Sequence, residues 1–208
     1  MKLTPKGTVT RARILKSALL LFQTKGYDQT SMREIAGAAG VATGAAYRYF
    51  ASKDAIVMAF YRQTFDQMRP KIEALLQQPG RLEDRMRELI RIKLNCFRPS
   101  RPVLRGIVKN GADPKHPVSP FSQESKPLRD MEIGWFRQMI VEEGIGLPKE
   151  FESHIPEVLW ALHMGVIFFW IADDSPRQSQ TMRLIEQGMN TVKVLLRLPQ
   201  FQTAKEAS

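Results

Sequence analysis

The stretch TSMREIAGAAGVATGAAYRYFASK, residues 30–53, decides the fold of this protein. Ser31 is followed three residues later by Glu34, the spacing of a capping box, in which each side chain bonds the backbone N–H of the other residue and fixes the start of a helix. Gly40 can adopt the positive φ that a tight turn requires. The stretch therefore predicts two short helices joined by a glycine turn, a helix-turn-helix over about residues 31–50.

The second short helix, predicted over about residues 43–50, is the one that a helix-turn-helix places in the major groove of DNA. Its leading face carries small residues, which would let the helix approach the bases closely. Thr43 can donate or accept a hydrogen bond, and the methyl group of Ala45 or Ala46 can meet a thymine methyl. This face is therefore expected to read base sequence.

Polar and basic side chains next to this face suit the DNA backbone. Tyr47 and Arg48 can reach phosphates, and Arg48 could alternatively bind a guanine. Ser52 and Lys53 begin the next helix, where backbone N–H groups and an ammonium could bind a phosphate. The predicted DNA-contacting residues are Ser31, Thr43, Ala45, Ala46, Tyr47, Arg48 and Lys53.

Positive charge is concentrated in the same part of the chain. Residues 1–53 hold nine Lys or Arg against two acidic residues, a net charge of +7, whereas the remaining 155 residues hold 22 against 19. Such a field suits a polyanion, either nucleic acid or an anionic membrane surface. A membrane-surface or scaffold protein would need neither the glycine turn nor the capped short helices, so double-stranded DNA is the expected partner.

Composition and motifs argue against several other classes. The 208 residues are 43% hydrophobic and 25% charged, as in an ordinary soluble globular protein. Cys96 is the only cysteine, no histidine has a partner at metal spacing, and no G-x-S-x-G, P-loop or Rossmann fingerprint occurs, so we expect no metal, no cofactor and no enzyme. The longest apolar run, residues 158–172, is shorter than the ~20 residues that span a bilayer. We therefore expect no membrane insertion and a cytoplasmic location.

Apolar residues recur at helical spacing almost everywhere, so the predicted fold class is all-α. We expect a three-helix DNA-binding head with the helix-turn-helix, plus a C-terminal helical bundle of about six helices. The head is predicted over residues 8–68, the effector-binding and dimerisation domain over residues 69–198, and a tail over residues 199–208. The first helix is predicted over residues 11–24, with Thr10 as its N-cap.

Glycine and proline divide the rest of the chain into the remaining helices. The fourth helix is expected to end near Pro70 or to continue to Leu76. The last helix is marked by Ser175 as a cap and by Gln178, which would complete a capping box. Further helices are predicted over residues 82–97, 103–110, 127–143, 149–172 and 176–197, with a proline-rich loop over residues 111–126.

The run from residue 10 to residue 53 resembles the DNA-binding domain of the TetR family, which has an I-A-x-x-A-G-V turn followed by G-x-x-Y-x-Y-F-x-S-K. One departure is Ala42, which stands where the family usually has a serine that caps the recognition helix. The cap then either shifts to Thr43 or is missing. The residues that carry the resemblance are Ile35, Ala36, Ala39, Gly40, Val41, Gly44, Tyr47, Tyr49, Phe50, Ser52 and Lys53.

The resemblance implies an all-helical homodimer that binds a palindromic operator, usually as a repressor, and is released when a small molecule in the body changes the separation of the two heads. It also implies that the last two long helices form a four-helix interface with the partner. Those helices carry more apolar surface than one helix face needs. The predicted interface residues are Val158, Leu162, Val166, Phe169, Ile185, Val192 and Leu195.

Bulky apolar residues on several faces of the body helices would suit either a packed core or a cavity for a mainly apolar effector. Methionine repacks easily, which suits an adaptable pocket, and the loop over residues 111–126 could act as a flexible gate. Arg105 or His163 could orient the ligand, although a histidine in an apolar helix is more often a hydrogen-bonded core or interface residue. The predicted pocket residues are Met86, Leu89, Arg105, Phe136, Met139, Trp160, His163 and Met164.

Overall fold

The computed structural model describes residues 4–147 and 149–195, and within them the chain is helical with no strand. The predicted all-α class is confirmed, whereas the tail predicted over residues 199–208 lies outside the described residues. Two 3₁₀ turns, Arg98–Ser100 and Pro176–Gln178, accompany the α-helices. The α-helices are α1 Pro5–Thr24, α2 Met32–Ala38, α3 Thr43–Tyr49, α4 Lys53–Leu76, α5 Leu82–Phe97, α6 Arg101–Gly111, α7 Lys126–Glu143, α8 Lys149–Glu152, α9 Ile155–Ala172 and α10 Ser179–Leu195.

The chain divides into two compact units. The head unit comprises Met1–Phe65 and Pro99–Lys126, and the body unit comprises Asp66–Arg98 and Pro127–Ser208. Because α6 packs against α1, it belongs to the head unit, although the sequence placed it beyond residue 68 in the other domain. Each unit is therefore built from two separate stretches of sequence, and no single boundary in the sequence separates the two units.

The first helix begins earlier than predicted. Thr4 is its N-cap, because the Thr4 side chain accepts a hydrogen bond from the Gly7 N–H at 3.2 Å, and Pro5 fits the first turn, where no N–H donor is needed. Thr10 was predicted as the cap, but it lies inside α1 and its hydroxyl donates to the Lys6 carbonyl at 3.0 Å. Apolar spacing predicts an inner face of Ile14, Leu15, Ala18, Leu19 and Phe22, and all of these are buried except Leu19, which is partly exposed.

The next helices follow the predicted spacing, with one correction at residues 149–172. α4 continues through Pro70 to Leu76, the second of the two predicted ends. The helix predicted over residues 149–172 is two helices, α8 and α9, because Pro156 lies in the first turn of α9 and a proline is costly in a helix interior.

The start of α10 is also different from the prediction. Arg177 and Gln178 have positive φ values of 56° and 52°, so Pro176–Gln178 forms a separate turn and the predicted capping box does not form. Ser175 still caps α10, because its hydroxyl accepts from the Gln180 N–H at 3.1 Å. The Asp173 carboxylate is a second cap that the sequence did not predict, accepting from the Thr181 N–H at 2.9 Å and from the Thr181 hydroxyl at 2.6 Å. Burial alone would raise the pKa of Asp173, but the hydrogen bonds from Ser175 and Thr181 outweigh it and lower the pKa.

One helix in the described part of the chain, α9, is long and apolar enough by length and composition to cross a membrane. It has 18 residues and a mean hydropathy of 1.7, and 44% of these residues are buried inside the protein. Core helices of globular proteins share these properties.

Candidate functional site

The helix-turn-helix forms as the sequence predicts. Ser31 accepts a hydrogen bond from the Glu34 N–H at 3.3 Å, and the Glu34 carboxylate accepts from the Ser31 N–H at 2.8 Å, so the capping box is complete. Gly40 has a φ of 63°, and the Val41 N–H donates to the Ala36 carbonyl at 3.0 Å to close the turn. An added Cβ at Gly40 would meet no atom within 4 Å. The backbone angle, rather than close packing, therefore calls for glycine here.

The recognition helix α3 exposes a polar face to solvent. Tyr47 is 51% exposed, Arg48 is exposed, and Thr43 is partly exposed at the start of the helix. Ala45 is also partly exposed, but Ala46 is 0% exposed. Ala46 was predicted as a base contact, and this assignment is wrong because its methyl group lies in the core of the head.

The N-terminus of α3 has no side-chain cap. Ala42 is the N-cap residue and offers no side-chain hydrogen bond, so the cap has not shifted to Thr43. The Ala42 carbonyl still accepts from the N–H groups of Ala45 and Ala46, at 2.9 and 3.1 Å. The seven-residue helix is therefore held by its backbone bonds and by burial of Ala46, without the usual help of a capping side chain.

Lys53 is turned toward the protein. Its ammonium donates to the Tyr27 carbonyl at 2.7 Å and lies 4.5 Å from the centre of the Tyr27 ring. The Tyr27 hydroxyl donates to the Asp54 carboxylate, and burial together with this bond raises the pKa of Tyr27. Ser52 caps α4 by accepting from the Ala55 N–H at 3.1 Å. This group of residues fixes the start of α4 against the loop between α1 and α2.

The surface of the head unit is strongly basic. Lys25 pairs with Glu34, and this hydrogen bond, followed by those from Ser31, lowers the pKa of Glu34 to about 2. The guanidinium of Arg11 lies 4.7 Å from the centre of the Phe50 ring. Within residues 4–53, five further basic side chains are exposed: Lys6, Arg13, Lys16, Arg33 and Arg48.

An ion pair joins the C-terminal end of α6 to the loop between α1 and α2. Lys109 forms an ion pair with Asp28, which lowers the pKa of Asp28, and the Asn110 amide lies 3.5 Å from the same carboxylate. In the loop that follows, Nε2 of His116 lies 4.0 Å from the Asp54 carboxylate.

The loop over residues 111–126 is internally bonded and buries several hydroxyl groups. The Ser119 hydroxyl donates to the Gly111 carbonyl at 2.8 Å, and the Ser122 hydroxyl donates to the Pro117 carbonyl at 3.0 Å. Ser119 is 0% exposed and Ser122 is 2% exposed. We expected a flexible gate here, but these bonds hold the loop as a series of turns within the head unit.

A buried polar cluster joins α5, α7 and α9 in the body unit. Lys93 on α5 forms an ion pair with Glu132 on α7, and both are 6% exposed. The second Glu132 oxygen accepts from the Trp160 indole N–H at 2.8 Å, and the Lys93 ammonium lies 3.8 Å from the Met164 sulfur. We call Lys93, Glu132, Trp160, His163 and Met164 the polar cluster.

His163 is the least satisfied member of the polar cluster. It is 1% exposed, and neither ring nitrogen has a partner with hydrogen-bond geometry. Burial and the positive charge of Lys93 lower the pKa of His163 well below its ordinary value, with only weak opposition from the Trp160 carbonyl. The imidazole is therefore neutral at physiological pH, with one N–H donor and one acceptor nitrogen.

Sequence reasoning missed Lys93 and Glu132, although a signal was present. Lys93 lies among Ile90, Leu94 and Phe97, and Glu132 precedes Trp135 and Phe136 by three and four residues. A charge at helical spacing within an apolar face indicates a buried charge that needs a partner.

The predicted pocket residues fall in both units. Arg105 is exposed on α6 and belongs to the head unit, so it does not join the others in the body unit. The other members lie on α5, α7 and α9 and are at most 8% exposed: Met86, Leu89, Phe136, Met139, Trp160, His163 and Met164.

The predicted dimer residues separate into two groups. Val166, Ile185 and Val192 are 9%, 1% and 5% exposed, so they pack inside one protomer and cannot form the centre of an interface. The predicted residues that are 40–52% exposed are Val158, Leu162 and Phe169 of α9 and Leu195 of α10. Val194 of α10, which was not predicted, is 62% exposed.

No three His, Cys, Asp or Glu residues come together as a metal site within residues 4–147 and 149–195.

Two family models match most of this chain. The model described as "Tetracyclin repressor-like, C-terminal domain" matches residues 85–206, and "Bacterial regulatory proteins, tetR family" matches residues 14–60. The second match contains the helix-turn-helix, and the first covers more than half of the chain.

Curated relatives match about a quarter of this chain. An uncharacterized HTH-type transcriptional regulator of Bacillus subtilis (strain 168), YuxN, is 39% identical over 59 residues, which are 28% of this chain and 20% of that protein. A second one from the same organism, YerO, is 39% identical over 49 residues, 24% of this chain and 17% of that protein. The chain thus matches about a fifth of the length of these relatives.

Solved structures match nearly the whole chain. A TetR-family transcriptional regulator from Syntrophomonas wolfei superposes with a TM-score of 0.70 at 23% identity, over 90% of this chain and 96% of that one. NalD, the secondary repressor of the MexAB-OprM multidrug efflux pump in Pseudomonas aeruginosa, superposes with a TM-score of 0.62 at 22% identity, over 89% and 96%. These likenesses show the fold.

Proposed function

This chain belongs to the TetR family of transcriptional regulators, and from that premise we propose that it is a cytoplasmic repressor that binds a palindromic operator as a homodimer and responds to a small molecule. Proteins of this family are DNA-binding transcription factors rather than enzymes. The observation that carries the proposal is the capped helix-turn-helix, whose second helix keeps Tyr47 and Arg48 exposed within a region of net charge +7.

Different residues of the head serve different parts of DNA recognition. Thr43 and Ala45 approach base edges at the start of α3, and Arg48 contacts either a guanine or a phosphate. Tyr47 donates its hydroxyl to a phosphate, a contact that positions the protein without reading sequence. Ser31 supports the site by fixing the start of α2 through the capping box.

The exposed apolar face of α9 and α10 is the proposed homodimer interface. One side of α9 carries the exposed apolar side chains of Val158, Leu162 and Phe169. α10 contributes the exposed side chain of Leu195. A face of this kind on a monomer favours association, because burying it removes apolar surface from water. A symmetric pair of chains would present two copies of α3 to a palindromic site.

The proposed effector site lies in the body unit among the buried residues of α5, α7 and α9. A concave, mostly apolar site with few polar groups is the usual form of a small-molecule site. The ligand can change operator affinity only if it prefers one arrangement of the protein, so the two affinities must be coupled reciprocally.

Selection of bound sites from random duplex DNA tests the DNA-binding proposal. We expect full-length protein to enrich a palindrome with half-site centres about one helical turn, roughly 34 Å, or slightly more apart. Binding should fall steeply as salt rises, because phosphate contacts release counterions.

Matched variants make the test specific. Arg48→Ala removes one exposed cation from α3 and should weaken operator binding at least about tenfold, within the range of a direct base contact. Arg91→Ala removes an exposed cation that pairs with Glu186 in the body unit and should leave operator affinity unchanged. Enrichment of no sequence, with equal binding to anionic vesicles, would instead indicate a membrane-surface protein.

A further inference from the structure

The polar cluster of the body unit contains a hydrogen-bonding group that the protein leaves unused. His163 is 1% exposed and neither ring nitrogen has a partner with hydrogen-bond geometry, whereas Glu132 uses both oxygens, one on Lys93 and one on Trp160. Buried polar groups without a partner are rare in folded proteins and call for an explanation, such as a binding role. His163 therefore offers one donor and one acceptor to a molecule that enters this part of the core.

Lys93 adds a second donor next to His163. Its ammonium has three N–H groups, of which one bonds Glu132 and another faces the Met164 sulfur at 3.8 Å, a weak acceptor. A ligand hydroxyl could accept from Lys93 and donate its own proton to the unprotonated ring nitrogen of His163. A hydroxyl group is the simplest group that both accepts and donates in this way.

The charges of the cluster disfavour an ionised ligand. Lys93 and Glu132 neutralise each other, and the low pKa of His163 keeps the imidazole uncharged. A bound carboxylate would place a second negative charge beside Glu132 with only one buried cation to balance the two.

The surroundings suit an aromatic or otherwise apolar molecule. The Phe136 ring lies 5.7 Å from the His163 ring, and Met86, Met139 and Met164 are buried on the same three helices. Methionine side chains can repack around an inserted ligand, and their sulfur atoms make favourable contacts with aromatic rings.

We infer that the effector is a mainly apolar molecule with one uncharged hydroxyl group, of which alkylphenols are the simplest case, and that His163 and Lys93 bind this hydroxyl. The inference rests on the proposed small-molecule response and adds the chemical class of the ligand.

Matched probes test the inference on the full-length protein. The probes are 4-alkylphenols with chains from methyl to octyl, each compared with the alkylbenzene and the 4-alkylbenzoate of the same chain length. Binding is measured by thermal shift and by tryptophan fluorescence, because Trp160 lies in the cluster. At the best chain length we expect the phenol to bind at least about tenfold more tightly than either matched probe, the worth of one or two buried hydrogen bonds.

Variants at His163 show whether the hydroxyl is the recognised group. His163→Phe keeps a ring and removes both nitrogens, so the phenol should bind within about twofold of the alkylbenzene. His163→Gln keeps a donor and an acceptor and should retain the preference for the phenol, which preserves the test if the phenylalanine variant fails to fold. His154→Phe, at an exposed position of the body unit, should bind the probes like the unaltered protein.

Three results would overturn the inference: equal binding of phenol and alkylbenzene to the unaltered protein, tighter binding of the benzoate, or no binding by any member of the series. Operator affinity measured with and without the phenol separates this inference from the proposed function. A phenol that binds through His163 but leaves operator affinity unchanged supports the ligand chemistry and overturns the ligand-responsive function. A protein that binds no operator in the absence of any probe overturns the DNA-binding proposal.

Discussion

The helix-turn-helix of the head unit and the polar cluster of the body unit satisfy their polar groups over very different distances along the chain. Ser31 and Glu34 bond each other three positions apart, and both stay partly in contact with solvent. Lys93 and Glu132 are 39 positions apart and buried, and Trp160 reaches Glu132 from a further 28 positions away. Local bonds of the first kind can be predicted from the residue spacing. Bonds of the second kind form only when three helices pack together.

The same contrast separates the energetic consequences of the two regions. Charges of the head lie in water, where an ion pair contributes little and salt screens it. Charges of the polar cluster have lost their hydration, so removing one partner leaves the other buried and uncompensated. Mutations should therefore affect stability most in the body unit and DNA recognition most in the head unit.

The largest expected effect comes from breaking the buried ion pair. Glu132→Gln leaves the Lys93 charge buried without a counterion and should lower the free energy of unfolding by about 3–5 kcal/mol. Urea denaturation followed by tryptophan fluorescence measures the loss.

A double variant is the control for this prediction. Lys93→Met with Glu132→Gln removes both charges while the glutamine oxygen can still accept from Trp160, so most of the stability should return. An additive loss in the double variant would contradict the assignment of a coupled buried pair.

The second effect concerns the exposed apolar face of α9. Leu162 is 52% exposed, so Leu162→Glu should leave the protomer folded but separate the dimer. Operator affinity should then fall at least about a hundredfold, because one recognition helix loses the effective concentration that the second half-site provides. Sedimentation gives the mass, and Val141→Glu at an exposed position of α7 is the control.

Base reading is expected to be a smaller effect, confined to one position. Thr43→Ala should relax discrimination at one base pair per half-site by about 1–3 kcal/mol if the contact is direct. The loss of base discrimination is measured from the binding-site profile of the variant. Thr24→Ala, at an exposed position of α1, is the control. An unaltered profile would remove Thr43 from the base-reading residues.

Phosphate contacts should weaken binding without changing its specificity. Tyr47→Phe should cost about 0.5–1.5 kcal/mol on every sequence alike. Lys53→Ala distinguishes two roles of this lysine. If Lys53 contacts a phosphate, the variant should lower the salt slope of operator binding by roughly one unit. If Lys53 holds the head together through its bond to the Tyr27 carbonyl, the variant should lower the melting temperature of the head. A shift in operator preference by either variant would refute the phosphate assignment.

The smallest effect is expected at Glu34, because its ion pair with Lys25 is exposed. The pKa of Glu34 is lowered to about 2, first by Lys25 and then by Ser31. The carboxylate therefore stabilises the folded head fully above its ordinary pKa of about 4.5, and this contribution disappears as pH falls toward 2. Glu34→Gln should lower the melting temperature slightly at pH 7 and not at pH 2, and added salt should reduce the difference.

Most of the head could be predicted from the sequence, and the exceptions have physical reasons. The start of α2 was predicted correctly because a capping box fixes a helix start locally. Thr10 was a plausible cap, but Thr4 followed by Pro5 provides an equally local start one turn and a half earlier. The sequence alone could not distinguish Ala46 from Ala45 as a base contact. Packing of α3 shows that Ala46 faces the core and that Ala45 does not.

The sequence by itself determined an all-α chain with a capped helix-turn-helix and a basic head, because helical periodicity, caps and turn glycines act over a few residues. Tertiary structure decided which apolar residues remain exposed. α9 is apolar on every side, so its spacing cannot distinguish Leu162, which is open to a partner, from Ile167, which is buried. Tertiary structure also placed α6 with the head, added Asp173 to Ser175 at the start of α10, and paired Lys93 with Glu132. Each of these depends on which helices meet, and that is set by burial of whole faces rather than by any short run of residues.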